Sequence, residues 1–417
     1  MSRGSLLLVV AFSVTTLLSE ARAGGTPGSV RRYMAGYSAS RLAAAHALIP
    51  AWARKYNMNC SGCHYPAPPR LNATGQRFKW AGYRMPEEIG ERVAVEKIQN
   101  YLSGGAEIDF TYEKTSGDPA AASNVFSAPD VVLFYAGPFA RNFAGFFELA
   151  HGPDGEIERV VQISGLWGTE KSYGGFRGGQ FHNFVEWGVA GFDRLPGPTM
   201  PLGLDGPITG TTPFSLGGPR LGAEAYFVRG SNRLSAQVLN GITPDGAGDV
   251  GEGNLRKDLF VTDQFLLDDV GSGVQAFGYY GSVADLDTLT SPGLTSHFWR
   301  LGASANKIFR GFELLGGFLY AKDIDLPGGA PDTKGSAYWF SGQYFVPKTS
   351  LTVYGRYELL DPNHSAANDG MRRYVLGSVL PVTLPEYLRC ALEYHLDAPQ
   401  GGLPKTSNVT ATLALTF

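Results

Sequence analysis

The chain has 417 residues, with 35 Lys and Arg against 38 Asp and Glu, for a formal net charge of -3. That balance excludes the basic field through which nucleic acid is held. The three cysteines, Cys60, Cys63 and Cys390, exclude a disulfide framework, and the length suits two or three ordinary domains.

Arg3, the apolar run Leu6 to Leu18 and the triplet Ala21-Arg22-Ala23 predict a secretory signal peptide over residues 1–23. The apolar run is short for a membrane span, and no later segment offers about 18 uninterrupted apolar residues, so no transmembrane helix is expected.

Residues 24–103 read as a separate, mostly helical module. Leu42, Ala45, His46, Leu48 and Ile49 recur near helical spacing across Ser40 to Tyr56, with Pro50 as an interruption. Cys60-Ser61-Gly62-Cys63-His64 follows. Cys-x-x-Cys-His is the attachment signature of a c-type haem. Two intervening residues let both thiols reach the vinyl groups of one macrocycle, and the next residue turns its imidazole onto the iron. One covalent haem c is therefore expected on Cys60 and Cys63, with His64 as an axial ligand. A zinc or redox Cys-x-x-Cys is the rival, and an exported chain with no second cysteine pair weighs against it.

A second helix is expected over Arg70 to Tyr83, ended by Pro86. Three residues compete for the iron's other face. Met85 comes first, because the chain would return there over the open haem; His46 is the runner-up and Met58 the third. The choice sets the chemistry, since a thioether raises the reduction potential relative to two imidazoles. A module of about 80 residues with few large apolar side chains buries little surface alone. It needs the rest of the chain as support.

From Gly105 onward, segments of period two are separated by Gly, Pro, Asp and Asn. In one, Leu351, Val353, Tyr357 and Leu359 alternate with Thr352, Tyr354, Arg356 and Glu358; in another, Leu388, Cys390, Leu392, Tyr394 and Leu396 alternate with Arg389, Ala391, Glu393 and His395. The segments start near residues 104, 129, 142, 157, 174, 218, 232, 258, 272, 295, 311, 335, 349, 371, 386 and 407. Tight turns, among them Gly137-Pro138, Arg310-Gly311 and Asp268 to Gly271, alternate with longer loops such as 114–128, 182–217 and 241–257. The chain ends on the alternating run Val409 to Phe417.

This pattern predicts a mainly β fold over 104–417: an antiparallel barrel of about 16 strands in the bacterial outer membrane, with apolar faces to lipid and polar faces to the lumen. With the module inside the lumen, the lumen-facing charges Glu107, Asp109, Glu148, Arg356, Glu358, Arg389 and Glu393 can pair with Arg54, Lys55, Arg70, Arg77, Lys79 and Arg84, while for any single charge the first expectation is that it simply lines a wet pore. Loop 182–217 is expected to fold inward as a constriction. Cys390 falls on the lipid side.

The attachment signature, the run Pro69-Arg70-Leu71-Asn72-Ala73-Thr74-Gly75-Gln76-Arg77-Phe78 and the triplet Gly82-Tyr83-Arg84 precede this porin-like barrel. The combination resembles the fused monohaem cytochrome–porins of bacterial outer membranes, whose best-known members are iron(II) oxidases. The specific motif covers about residues 50–86; the barrel is generic, and the chain is shorter than the best-known iron oxidases. The resemblance implies that the cytochrome module plugs the lumen. Electrons would pass from an extracellular donor, foremost Fe(II), through the haem to a periplasmic c-type cytochrome, as in an iron(II):cytochrome c oxidoreductase. The alternative is a diffusion porin with a haem-bearing gating or sensing plug. A haem peroxidase would need a distal His-Arg pair, and no clear one is present.

Overall fold

A computed structural model describes residues 51–416 other than 65–69, 94–99, 118–121, 128–129, 152–156, 185–187, 193–194, 219, 243–255, 285–293, 348 and 383–387. The expected signal peptide, His46 and most of the first expected helix lie outside the described residues.

Two short helices, α1 (Ala51–Tyr56) and α2 (Ala73–Trp80), precede the strands. The first half of the sheet contains β1 (Leu102–Thr115), β2 (Ser123–Phe126), β3 (Asp130–Ala140), β4 (Phe143–His151), β5 (Ile157–Thr169), β6 (Ser172–Phe181), β7 (Arg220–Arg229) and β8 (Asn232–Asn240). The second half contains β9 (Lys257–Leu266), β10 (Gly273–Ala284), β11 (Thr295–Phe309), β12 (Phe312–Ile324), β13 (Thr333–Val346), β14 (Leu351–Asp361), β15 (Met371–Pro381), β16 (Leu388–Pro399) and β17 (Thr406–Thr416).

From β3 to β17 sequential strands pair antiparallel, and β1 pairs with β17 from Gly105 opposite Thr416 to Thr115 opposite Thr406. That seam closes the sheet and leaves no open edge. β2 lies opposite residues 110–113 of β1, and β3 opposite residues 102–107. They are two halves of one barrel strand, so the 17 segments form a 16-stranded barrel. The expected strand starts fall within two residues of the observed ones.

One expected turn is corrected. Gly137-Pro138 lies inside β3, and the chain reverses at Arg141-Asn142 instead. The pairing of β3 with β4 shifts register between Pro138 and Ala140. A bulge accommodates a residue without an N–H, which is why proline fits within this strand.

The outward faces carry Ile108, Leu133, Leu149, Val161, Leu234, Leu376, Leu392 and Leu413, all exposed. Near the short-turn end, aromatic rings form a girdle. Phe143 lies 5.9 Å from Trp167, Trp167 5.6 Å from Phe176, and Phe312 4.3 Å from Tyr344. An apolar exterior bounded by aromatics is a lipid-facing belt. Arginine at Leu392 should therefore cost about 2–4 kcal/mol of folding stability if the site is near the midplane. Equilibrium unfolding in lipid vesicles measures this; a neutral substitution would place that face in water.

The inside is crossed by the segment between β6 and β7. Phe184, Phe192, Leu204 and Phe214 pack against the inward-facing Phe260, Phe277, Phe298 and Trp339. The segment then reaches the far wall. The Leu202 N–H donates to Glu358 at 2.6 Å, and Arg356 donates to the Thr199 carbonyl at 2.7 Å. The inward fold expected for this loop is observed.

Candidate functional site

The candidate site is built from residues 51–93. Asn72 is the N-cap of α2: its side-chain oxygen accepts from the Gly75 N–H at 3.0 Å. Its amide also donates to the carbonyls of Ser61 at 3.3 Å and Gly62 at 3.1 Å, and its backbone N–H donates to the Cys63 carbonyl at 2.9 Å. One side chain thus starts the helix and holds the Cys60–Gly62 turn against it. Glycine is required at position 75, because a Cβ there would stand 2.4 Å from the Cys63 carbonyl oxygen.

Within the turn, the His64 N–H donates to the Cys60 carbonyl at 2.8 Å. Cys60 and Cys63 are not joined in a disulfide. Burial pushes the Cys63 thiol up to about 11, so it stays protonated at neutral pH. His64 Nδ1 lies 3.1 Å from the Arg70 carbonyl oxygen. A carbonyl only accepts, so Nδ1 carries the proton and Nε2 the lone pair, the arrangement of a metal-ligating imidazole held from behind. Two thiols and an oriented imidazole on one clamped turn fit a covalently attached haem c.

Of the three residues expected to compete as a second axial ligand, the two described, Met85 and Met58, are placed apart. Met85 packs in an aromatic cluster with Trp52, Tyr56, Phe78, Tyr83, Phe134 and Phe146. Met58 lies against the turn itself: its Cε is 2.5 Å from where a Cβ on Gly62 would stand.

The segment packs on the inner wall near the short-turn end. Trp52 donates to the Ala136 carbonyl at 2.8 Å, and Arg84 donates to the carbonyls of Arg141 and Phe143 at 2.9 and 3.1 Å. Trp80 is buried among Leu166, Tyr173, Tyr226 and Leu266. Arg77 pairs with Asp269 at 3.2 Å. Arg70 makes a fully buried ion pair with Glu313 of β12, Nε lying 3.2 Å from one carboxylate oxygen.

The expected charge pairing is corrected in its partners. Arg356 pairs with Glu358 at 2.5 Å, Arg389 with Glu107 at 3.8 Å, and Lys55 with Glu88 of its own segment at 2.7 Å. The reason is position. The inward loop takes up Arg356 and Glu358, while residues 51–93 meet the wall where Glu313 and Asp269 stand. Neither wall partner was singled out from the sequence. The Asn72 cap carried a readable signal, an asparagine just ahead of a helical run.

Glu88 accepts from Lys55 and from the Tyr56 hydroxyl at 2.5 Å. Burial raises its carboxyl pKa, but these two donors outweigh it and hold the group below its ordinary value. A depressed acid stabilises above its unfolded pKa and loses that contribution as pH falls through the folded one. Residues 51–93 should therefore loosen in acid, below the ordinary carboxylate range. Limited proteolysis against pH reads this, and Glu88→Gln should flatten that part of the profile.

No protein-family model and no curated protein matches the chain. Several solved structures do, at low identity. In-vitro folded OmpT, an outer membrane protein of Vibrio cholerae, is 11% identical with a TM-score of 0.53, over 76% of this chain and 97% of that one. The outer membrane channel DcaP of Acinetobacter baumannii is 12% identical with a TM-score of 0.52, over 76% and 96%. The anion-selective porin from Comamonas acidovorans is 13% identical with a TM-score of 0.50, over 76% and 98%. At such identities the likeness is one of fold. The chain is a bacterial outer-membrane β-barrel of porin architecture.

Proposed function

We propose that this porin-like barrel holds one covalent haem c at the periplasmic end of its lumen and acts as an electron conduit across the outer membrane. Short turns mark the periplasmic end of such barrels, and residues 51–93 pack among them. The observation that carries the reading is the turn Cys60–His64, clamped by Asn72 and backed by Arg70 inside a barrel whose lumen a second segment also crosses.

In this reading Cys60 and Cys63 carry the thioethers and His64 supplies Nε2 to the iron. Met85 is proposed for the other face, with Met58 and His46 as rivals. The haem, when bound, supplies one-electron chemistry. The chain's own residues orient the imidazole through the Arg70 carbonyl and hold the half-buried turn in place through Asn72. The donor proposed is extracellular Fe(II), and the acceptor a periplasmic c-type cytochrome. Fe(II) suits a conduit because its oxidised product precipitates near neutral pH and would stay outside the cell. A Met85→Ala variant that keeps a low-spin spectrum would shift the assignment to Met58 or His46.

A second reading is a diffusion porin with a haem-bearing gating or sensing plug. The porin neighbours favour it over the conduit, since they support the barrel and carry no argument for electron transfer. The Arg389 and Glu107 side chains, 31% and 39% exposed, also leave one stretch of the inner wall wet. Two measurements separate the readings. Fe(II) added to purified haem-loaded protein should give the reduced haem spectrum if it is a conduit for iron. Solute or ion conductance in planar bilayers, with no reduction by Fe(II), would support the porin instead.

A further inference from the structure

We infer that Arg70 and Glu313 are positioning residues for His64: the buried ion pair between plug segment and barrel wall fixes the carbonyl that orients the imidazole. The inference rests on the haem reading of Cys60–His64. Arg70 presents two groups to two partners. Its carbonyl oxygen accepts from His64 Nδ1 at 3.1 Å, and its guanidinium grips Glu313 through Nε at 3.2 Å and through Nη2. Both side chains are buried, at 2% and 0% exposure. A planar fork on a carboxylate fixes direction as well as distance.

Glu313 is itself pinned. Asn306 of β11 donates to it at 2.5 Å, and Gln343 of β13 donates to it from the other side. Asn306 also donates to the Gly271 carbonyl at 3.1 Å. Gly271 lies directly on Asn72, since a Cβ there would come 2.8 Å from the Asn72 Cα. Asn72 in turn holds the Ser61 and Gly62 carbonyls. The attachment turn is thus gripped from two sides, and both grips lead to Asn306 and Glu313 on adjacent barrel strands. A purely structural anchor would need only to dock the segment. This one also ends on the atom behind the iron ligand. A hydrogen bond from Nδ1–H makes the imidazole a stronger donor through Nε2, which favours the ferric state.

The test uses full-length haem-loaded protein in detergent or lipid. Glu313→Gln should keep its covalent haem, shift the midpoint potential upward and alter the ferric EPR signature. Glu313→Asp, which keeps the charge, should return part of the way. Arg77→Ala removes a half-exposed contact of the same segment (side chains 32% and 47% exposed) and should leave potential and EPR unchanged. If Glu313→Gln fails to insert, Gln343→Ala removes one pin and is read the same way. Wild-type potential and EPR in both Glu313 variants, or in Gln343→Ala where it stands in, would overturn the inference. A wild-type chain without covalent haem would instead overturn the haem reading, before any variant is compared.

Discussion

Serine at both Cys60 and Cys63 should remove all covalently bound haem while the barrel still folds. A thioether needs a thiol, and a hydroxyl cannot replace it. Neither cysteine belongs to a strand, a disulfide or the β1–β17 seam, so closure of the sheet does not depend on them. Haem staining of a denaturing gel, beside the shift in mobility between folded and heated barrel, reads both halves at once. Haem retained by the double variant would sink the assignment of the attachment site. His64→Ala should behave differently, keeping the thioethers and losing the wild-type low-spin spectrum.

The second large effect concerns the lumen. Replacing residues 197–214 with a short flexible linker should raise conductance in planar bilayers well above that of the intact chain. The segment buries Leu204, Ile208 and Phe214 among inward-facing rings and bonds to strands on the far wall. Without it, a barrel of 16 strands is wide enough for an aqueous channel. Phe214→Ala is a useful companion. Truncating a buried phenylalanine costs about 3–5 kcal/mol, yet it leaves the chain crossing the lumen. It should lower stability and raise conductance little. Equal conductance for the deletion and the intact chain would show that this segment is not what restricts passage.

How much of this was readable beforehand varied with the physics. Strands announced themselves because lipid on one side and lumen on the other impose period two, as in Leu351 to Leu359. The strand β2 was missed, since it lies inside the expected loop 114–128. Pro129 reads as a stop, and the four residues Ser123–Phe126 are too few to show a period. The pair Arg70 and Glu313 was out of reach for another reason. The two residues are 243 apart, and nothing local says which inward-facing position a distant arginine will meet. Cys60–His64 was legible because covalent chemistry constrains spacing. The identity of the opposite ligand was not, since a methionine is equally useful as packing. The lumen-facing side of Glu107, Asp109, Arg356 and Glu358 followed from alternation, whereas their partners depended on where loop and segment came to rest.

The seam between β1 and β17 brings together stretches of chain such as Thr111 and Thr410, 299 positions apart along the sequence. Such a contact is costly in loop-closure entropy and slow to form. Residues 51–93 precede β1 in the sequence, and the completed ring of hydrogen bonds closes the wall around them. Closure therefore waits for the last residues of the chain, because β1 has its full partner only when β17 is in place. A lesion in β17 would then surface as an unclosed sheet exposed to quality-control proteases, whereas a lesion in the Asn72 clamp leaves every hydrogen bond of the seam in place.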